Sequence, residues 1–520
     1  MSEFDAVASR LVEELPELCA RHDIPGLAVG ITDASGRTWT AAFGTTRRRG
    51  SDPVTPTTMF SLQSCSKTYT ATGVMLAAQY GLIDLDRPVT GYLPEFTVHS
   101  SFESAPERRM TLRHLLSHTA GFTHEAPIGN NFVVGRAPFA AHCRSISDTW
   151  LRFPVGHHYE YSNLGIDLAA FIVERVSGLP FRTFQAKHLL EPLGLARTTF
   201  DQRKIAKDTD RALGHSSDAT KLPLRIPMVA AGGLYASIQD VCRFIQFHLR
   251  RGESLLGSAL LDEMYAVPRK QPGQQGGYGL GIVDAGWYRG HSGGGFGFLS
   301  DMYWAPEAGV GVAVLTNSNS HPLQPVLSDR ILRELAGSPP EREPVHRPSV
   351  RASEQELARM SGQYVGRSST ISILLEDGLF MDSGTGKQPL RLVAPGEVVL
   401  QANESESWRL VSGADGRARY LIAGADGRVW YRNDPHDSAP PSVGPDWGGR
   451  YYQRRMGGRR TPVTLGVDER GPFVREPGQP RLRLEQHQPG LFFSTMGEAL
   501  DLRPTPATYR NIALIRSGAG

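Results

Sequence analysis

The stretch SLQSCSKTYTATG, residues 61–73, sets Ser64 and Lys67 three positions apart at the start of a helical pattern. The pattern continues to about Tyr80, with an apolar stripe formed by Ala71, Val74, Met75 and Ala78. A serine hydroxyl is a weak nucleophile at neutral pH and needs a base within hydrogen-bond reach. Because residues i and i+3 share a helix face, Lys67 could be that base. The alternative is that both residues belong to the polar face of an ordinary helix.

A second segment could complete such a site. HHYEYSNLG, residues 157–165, places Tyr161 and Asn163 in a loop just before a helix. A tyrosine whose pKa is depressed by Lys67 could take the Ser64 proton and return it to the leaving group. The Asn163 amide could orient the lysine and the substrate carbonyl. The alternative is an asparagine N-cap beside a packed tyrosine.

A third segment, GHSGGGFGF at 290–298, predicts a glycine-rich strand edge that carries His291, a further candidate catalytic residue. Glycines of this kind let a substrate backbone approach the edge as an added strand. We expect the substrate-binding residues of this edge to be Ser292, Gly293 and Gly295. The N–H groups of Ser64 and Gly294 could stabilise a developing oxyanion. The alternative is a strand softened by glycines, or a bulge.

The order SxxK, YxN, HxG resembles the serine β-lactamase and penicillin-binding-protein superfamily, in particular its class C-like branch with the D-aminopeptidases and esterases. The supporting segments are TLRHLLSHTAGF at 111–122, AAGGLYASIQDV at 230–241, YGLGI at 278–282 and HSGGGFGFLSDMYWAPEAGVGVAVLTN at 291–317, so the resemblance covers about residues 5–335. It implies an acylated nucleophile at Ser64, a base pair at Lys67 and Tyr161, and an orienting amide at Asn163.

One position departs from many relatives, which carry the lysine of a KTG motif where this chain has His291. A lysine is a permanent cation suited to a substrate carboxylate, whereas histidine is mostly neutral near pH 7. Strong carboxylate recognition, and with it β-lactamase activity, is therefore less expected. The HxG motif resembles the D-aminopeptidase, amidase, esterase and transacylase branches instead.

The chain divides at two Pro-rich segments. Strand patterns at both ends of 1–336 predict a β-lactamase-like α/β domain, an antiparallel sheet with helices on both faces plus a helical lobe. After a linker at 337–352, short alternating strands predict two small antiparallel β-barrels, at 353–433 and 447–520, with a linker at 434–446. The barrels resemble the lipocalin-like domains of D-aminopeptidases, which narrow access to the cleft. A stabilising or dimerising appendage is the alternative.

Composition excludes several classes of protein. A formal net charge of +3 on 520 residues argues against a nucleic-acid partner. No apolar run approaches the roughly 20 residues that span a bilayer. The N-terminus has no secretory pattern either, so we expect a cytoplasmic protein without a membrane partner. His114 and His118 have zinc-compatible spacing but lack the glutamate of HExxH, so we expect neither a metal nor a cofactor.

Together these patterns predict a serine hydrolase that forms an acyl-enzyme on Ser64. The expected substrate is a small amide, ester or short peptide, with D-amino-acid amides or peptides as the leading expectation. The alternatives are an esterase of the same family, or an acyltransferase or peptide cyclase that passes the acyl group to an amine. A β-lactamase and a catalytically inactive binding protein are less expected. The chain could form a homodimer.

Overall fold

The computed structural model describes residues 2–50, 52–129, 137–216, 222–268, 276–337, 347–366, 369–403, 406–412, 418–424, 427–433, 448–454, 460–504 and 506–517. An α/β unit ends with a helix at Ala336 and is followed by two antiparallel β-barrel units. This architecture confirms the predicted fold class. The predicted linker 434–446 lies outside the described residues, as does most of 337–352.

The α/β unit combines one sheet with a helical lobe. Its strands are β1 (Gly26–Asp33), β2 (Thr38–Gly44), β3 (Phe60–Ser61), β4 (Thr198–Thr199), β5 (Tyr235–Ala236), β6 (Gly277–Tyr278), β7 (Val283–Asp284), β8 (Arg289–Gly295), β9 (Phe298–Ala305) and β10 (Val310–Thr316). Its helices are α1 (Glu3–Arg21), α2 (Ser66–Gln79), α3 (Leu112–Leu116), α4 (Phe139–Ser145), α5 (Asn163–Ser177), α6 (Phe181–Gln185), α7 (Gln202–Lys207), α8 (Val229–Gly232), α9 (Ile238–Leu249), α10 (Ser258–Tyr265) and α11 (Leu323–Ala336). Short 3₁₀ or π turns lie at Gln63–Cys65, Val89–Gly91, Pro106–Arg108, Ile146–Asp148 and Ala186–Leu190.

The main sheet is antiparallel and runs in the order β2-β1-β10-β9-β8-β7-β6. Strands from both ends of the unit meet at its centre, where β1 pairs with β10 from Leu27↔Thr316 to Asp33↔Val310. Apolar side chains of α1 and α11 cover one face of the sheet, and those of α9 and the helical lobe cover the other. The sheet thus has helices on both faces, as predicted.

Helix α2 lies between the sheet and the helical lobe and is buried on all sides, so it has no polar face. Every residue from Ser66 to Ala77 is buried. The threonine hydroxyls donate to carbonyl oxygens, Thr68 to Gly281 at 3.0 Å and Thr70 to Ala230 at 2.8 Å. The sequence predicts one apolar stripe, but the helix is buried on every face. Small residues and hydrogen-bonded threonines form the faces outside that stripe.

The segment YGLGIV, residues 278–283, alternates in a way typical of a single strand, but a turn between β6 and β7 interrupts it. Gly281 in this turn has φ +73°, and a Cβ there would lie 2.4 Å from Ala71 Cβ and 2.9 Å from the Lys67 carbonyl oxygen. Only glycine allows this approach, because both the left-handed backbone and the contact exclude a side chain. The turn thus packs directly on the helix that carries Lys67.

The barrel units follow helix α12 (Glu354–Met360). The first is a closed barrel of β11 (Gly362–Val365), β12 (Thr370–Leu375), β13 (Leu379–Asp382), β14 (Lys387–Ala394), β15 (Glu397–Leu400), β16 (Ser407–Ser412), β17 (Ala418–Ala423) and β18 (Val429–Arg432). The second contains β19 (Gly449–Arg454), β20 (Arg460–Asp468), β21 (Gly471–Arg475), β22 (Leu482–Gln488), β23 (Leu491–Ser494), β24 (Ala499–Asp501), β25 (Thr508–Tyr509), β26 (Ile512–Ala513) and β27 (Ile515–Arg516), in the order β26-β25-β24-β23-β22-β21-β20-β19-β27.

The two barrels pack against each other through one apolar cluster. Val365, Val429 and Tyr431 of the first barrel share this cluster with Val463 and Leu482 of the second. Burial of a continuous apolar surface makes the pair one packed body.

Within the described ranges, none of the helices combines the length and the apolarity needed to traverse a lipid bilayer.

Asp301 on β9 is a buried carboxyl group beneath α11, with 3% of its surface exposed. Its carboxylate accepts a hydrogen bond of 2.6 Å from Ser328. Burial raises the pKa of Asp301 to about 6, although hydrogen bonds from Ser328 and Gln324 lower it. Because the folded pKa exceeds the unfolded one, this group stabilises the fold most at low pH, and that contribution is lost as the pH rises through 6.

Asp301→Asn, which cannot ionise, is therefore expected to gain stability relative to the unsubstituted protein as the pH rises. Between about pH 5 and about pH 8, the difference in free energy of unfolding should move by about 1–2 kcal/mol in favour of the variant. Urea unfolding followed by tryptophan fluorescence measures this difference. Asp329→Asn, whose side chain is 51% exposed on α11, is the control. A difference that is independent of pH would contradict the raised pKa.

Candidate active site

Ser64 lies on the 3₁₀ turn Gln63–Cys65, and α2 begins at Ser66, two residues later than the helix start that the sequence predicts. Gln63 has φ +47°, a left-handed conformation that is uncommon for a residue with a side chain. Its amide donates to the Ser61 hydroxyl at 2.7 Å, and the Ser300 hydroxyl donates to the Leu62 carbonyl at 2.6 Å. These contacts hold a tight turn that leaves Ser64 half-buried on the wall of a cleft.

Lys67 and Tyr161 converge on the Ser64 oxygen. The Tyr161 hydroxyl lies 2.8 Å and the Lys67 Nζ 3.2 Å from Ser64 Oγ, and Nζ is 4.8 Å from the centre of the Tyr161 ring. Lys67 is fully buried, and no acidic side chain of the described residues pairs with it. Two groups that can accept a proton therefore contact the same hydroxyl.

Asn163 does not join this hydrogen-bonded group. It is the first residue of α5, and the N-cap is Ser162, whose hydroxyl accepts from the Leu164 N–H at 3.2 Å. Within the part of the chain that the structure describes, the Asn163 amide makes no hydrogen bond to Ser64 or Lys67. Hydrogen bonds thus join Lys67 and Tyr161 to Ser64, whereas Asn163 lies at the start of the adjoining helix.

The second partner of Lys67 is the Ala231 carbonyl, to which Nζ donates at 2.8 Å. Asp167 holds this carbonyl in place, since its carboxylate accepts the N–H groups of Ala230 and Ala231, each at 3.0 Å. Burial lowers the pKa of the adjoining His142, but its hydrogen bond to Asp167 and the charge of that carboxylate outweigh burial and raise it. Sequence reasoning missed this contact of Asp167, because it depends on the packing of α5 against α8.

Strand β8 forms the opposite edge of the site. Ser292 and Gly294 line the cleft, whereas Gly293 and Gly295 do not. A Cβ on Gly293 would lie 2.3 Å from the Leu62 carbonyl oxygen and 2.9 Å from the Ser64 nitrogen. Gly293 therefore allows β8 to approach the turn that carries Ser64. That the N–H groups of Ser64 and Gly294 together bind an oxyanion stays a prediction.

His291 lines the cleft as a neutral imidazole. Its Nε2 lies 2.9 Å from the Tyr278 hydroxyl, and its Nδ1 lies 2.5 Å from the Ser292 carbonyl. Burial and the nearby Lys67 lower the pKa of His291 to about 3. Burial also raises the pKa of Tyr278 well above its usual range, so this hydroxyl donates to Nε2 while Nδ1–H donates to Ser292. No permanent cation is present at this position, as the sequence predicts.

The cleft has a volume of about 390 Å³, and two units of the chain form its walls. The α/β unit contributes Ser64, Tyr159, Glu160, Tyr161, Tyr278, Val283, His291, Ser292 and Gly294. The first barrel contributes Gly366, Ser369, Arg428, Val429 and Trp430. The indole of Trp430 is fixed by a 3.0 Å hydrogen bond to Ser369. Part of the wall of the cleft therefore comes from the first barrel.

Three other residues with potentially reactive side chains, two histidines and the cysteine next to Ser64, make structural contacts instead. His114 forms a reciprocal cap with Thr111 at the start of α3. The His118 ring packs 4.5 Å from the Tyr161 ring and 4.6 Å from the Tyr278 ring. Cys65 is buried and donates to the His291 carbonyl at 3.0 Å. Among the described residues, no group of three or more histidine, cysteine or acidic residues could hold a metal ion.

Comparison with known proteins matches most of the α/β unit to one family. The Beta-lactamase family model matches residues 5–336. A curated relative, a beta-lactamase of Providencia stuartii, is 24% identical over 254 residues, which are 48% of this chain and 62% of that protein. The chain therefore spans less than two thirds of the length of this relative.

Two solved structures resemble larger parts of the chain. SurE with D-Leu superposes with a TM-score of 0.58 and 24% identity, over 82% of this chain and 100% of that one. The D-amino acid amidase of Ochrobactrum anthropi, complexed with D-phenylalanine, gives a TM-score of 0.53 and 21% identity over 64% and 99% of the two chains. At these identities the likeness shows a shared fold.

Proposed function

Because the chain belongs to the beta-lactamase family of serine hydrolases, we propose that it cleaves small amides or short peptides of D-amino acids through an acyl-enzyme on Ser64. The observation that carries the proposal is the convergence of the Tyr161 hydroxyl and the Lys67 amine on Ser64 Oγ, at 2.8 Å and 3.2 Å. A nucleophile with a base in direct hydrogen-bond contact is the arrangement that acyl transfer requires.

The reaction follows from these contacts in two steps. Ser64 Oγ attacks the substrate carbonyl carbon while its proton passes to the Tyr161–Lys67 pair. The N–H groups of Ser64 and Gly294 stabilise the resulting oxyanion. The tetrahedral intermediate then loses the amine, which takes the proton from the base pair and leaves an ester on Ser64. Water, activated by the same pair, releases the acid and restores the free hydroxyl.

The neutral His291 and the barrel wall support an amino-acid substrate over a β-lactam. Without a permanent cation on β8, a β-lactam carboxylate finds no charged partner at that position. The Trp430 ring and Val429 offer an apolar surface opposite Ser64, which suits a short substrate with an apolar side chain. The resemblance to SurE with D-Leu and to the D-amino acid amidase supports this substrate class.

An acyltransferase that passes the acyl group to an amine is the second candidate. It uses the same residues, since only the group that attacks the acyl-enzyme differs. The cleft of about 390 Å³ that Gly366, Ser369 and Trp430 help to line favours it, because it leaves room beside Ser64 for an acceptor amine in place of water. An esterase needs no change to the mechanism, since an alcohol leaves more readily than an amine.

A substrate panel tests the proposal. We expect kcat/KM for D-aminoacyl p-nitroanilides to exceed that for the L-enantiomers by about tenfold or more, a difference of about 1.4 kcal/mol in transition-state binding. Nitrocefin should be the slowest acyl donor, and Ser64→Ala measures the background. Equal rates for the two enantiomers would contradict the D-specificity. Adding a D-amino-acid amide as acceptor and analysing the products by mass spectrometry distinguishes transfer from hydrolysis.

A further inference from the structure

Glu160, directly before Tyr161, lies where the α/β unit meets the first barrel. Its carboxylate is 3.2 Å from the Arg152 guanidinium and accepts a hydrogen bond of 3.3 Å from the Tyr431 hydroxyl of β18. Its backbone N–H donates to the His118 carbonyl at 2.9 Å. The residue that precedes the candidate base is thus held from both units.

The second barrel reaches the other side of the same segment. The Arg152 Nε donates to the Met496 carbonyl at 2.7 Å and lies 3.4 Å from the Glu498 carboxylate. Glu498 also accepts a 2.8 Å hydrogen bond from Thr123. The Thr123 carbonyl in turn accepts from the Ser162 hydroxyl at 2.6 Å, and this serine follows Tyr161 directly. Contacts to the barrels therefore bracket the tyrosine on both sides.

The charged side chains that link the barrels to the Tyr161 segment are buried, so each charge needs its partner to be stable there. The side chains of Arg152, Glu160 and Glu498 are 3%, 10% and 6% exposed. Removing one partner of a buried ion pair leaves the other charge uncompensated, and the segment that carries it must shift to reach water. Burial raises the pKa of Tyr431 well above its usual range, so its hydroxyl keeps the proton that it donates to Glu160.

We propose that Tyr431 and Glu498 are positioning residues that hold the Tyr161 hydroxyl on Ser64. Tyr431 acts through Glu160, and Glu498 acts through Arg152 and Thr123. The barrels then belong to the catalytic machinery itself, in addition to forming a wall of the cleft. This inference rests on the proposed function, because it assumes that Tyr161 and Ser64 carry out the chemistry.

Two conservative variants test the inference in the full-length protein. Tyr431→Phe removes one hydroxyl and keeps the ring that lies 5.3 Å from the Arg152 guanidinium. Glu498→Gln keeps the shape of the side chain and removes its charge. We expect each variant to lower kcat, and the rate at which a fluorophosphonate labels Ser64, by about tenfold, with KM changed less than about twofold. A lower kcat and labelling rate at nearly constant KM indicates a positioning role. Partial unfolding would instead lower the amount of active protein without changing the labelling rate of the folded fraction.

Tyr420→Phe is the matched control. This tyrosine lies on the same barrel, 5.6 Å from the Tyr431 ring, and its hydroxyl makes no hydrogen bond among the described residues. Its variant should label Ser64 at the unsubstituted rate. Unchanged kcat and labelling rate in Tyr431→Phe would overturn the inference, whereas absence of labelling at Ser64 in the unsubstituted protein would overturn the proposed function instead. If Glu498→Gln does not fold, Tyr431→Phe decides alone.

Discussion

Ser64→Ala is expected to lower kcat/KM for any acyl donor by about 10⁴-fold or more, because no acyl-enzyme can form without the hydroxyl. Loss of the nucleophile also removes the oxygen on which Tyr161 and Lys67 converge, at 2.8 Å and 3.2 Å. The two base groups then have no proton to transfer. Steady-state hydrolysis of a p-nitrophenyl ester measures the loss, and the unchanged melting temperature of the variant shows that the fold is intact.

Ser66→Ala provides the matched control for this loss. Ser66 is the next serine along the chain, but its hydroxyl is buried and accepts from the Leu234 N–H at 3.1 Å. Removing it should cost about 1 kcal/mol of stability through the lost hydrogen bond and leave kcat within a few-fold. Residual turnover in Ser64→Ala that matches the unsubstituted protein would contradict the assignment of the nucleophile.

Lys67→Met is expected to lower the rate of Ser64 acylation by about 10²- to 10⁴-fold. Methionine has a similar length and suits a fully buried position, so the variant removes the amine while retaining most of the packing. The lost groups are the 3.2 Å contact to Ser64 Oγ and the 2.8 Å hydrogen bond to the Ala231 carbonyl. Stopped-flow measurement of the acylation burst with an activated ester checks this prediction.

Two further variants sharpen the test of the base pair. Lys204→Met, an exposed lysine at α7, is the control and should leave acylation unchanged. Tyr161→Phe should lower acylation by a similar factor to Lys67→Met, and the double variant should lose little more, because the two groups act on one proton. Full additivity of the two losses would show that they act independently, against the proposed proton transfer.

Much of the site could be predicted because its residues follow local rules. The spacing of Ser64 and Lys67 follows from helix geometry, and the alternating apolar pattern of β1, β2, β9 and β10 indicates strands whatever their partners. The neutral state expected for His291 follows from its chemistry and is reinforced by burial, which a sequence does not reveal. The tight turn at Gln63 carries no sequence signal, since its left-handed backbone is imposed by contacts to β8 and β9.

The remaining features depend on contacts between elements that are distant in sequence. The YGLGIV segment alternates like a strand, but packing of Gly281 on α2 converts it into a turn. Asp167 looks like an ordinary helix residue, yet it holds the carbonyl that contacts Lys67. The docking of the barrels depends on complementary surfaces, so no motif predicts that Trp430 faces the cleft.

Mass spectrometry of the protein after reaction with a fluorophosphonate tests the central claim most directly. The predicted result is one adduct per chain, located by peptide mapping on Ser64 and not on Ser66, with the adduct absent from Ser64→Ala and retained in Ser66→Ala. The close contact of Ser64 with Lys67 and Tyr161 is the reason to expect this selectivity. An unmodified Ser64, or equal labelling of Ser64→Ala, would contradict the account.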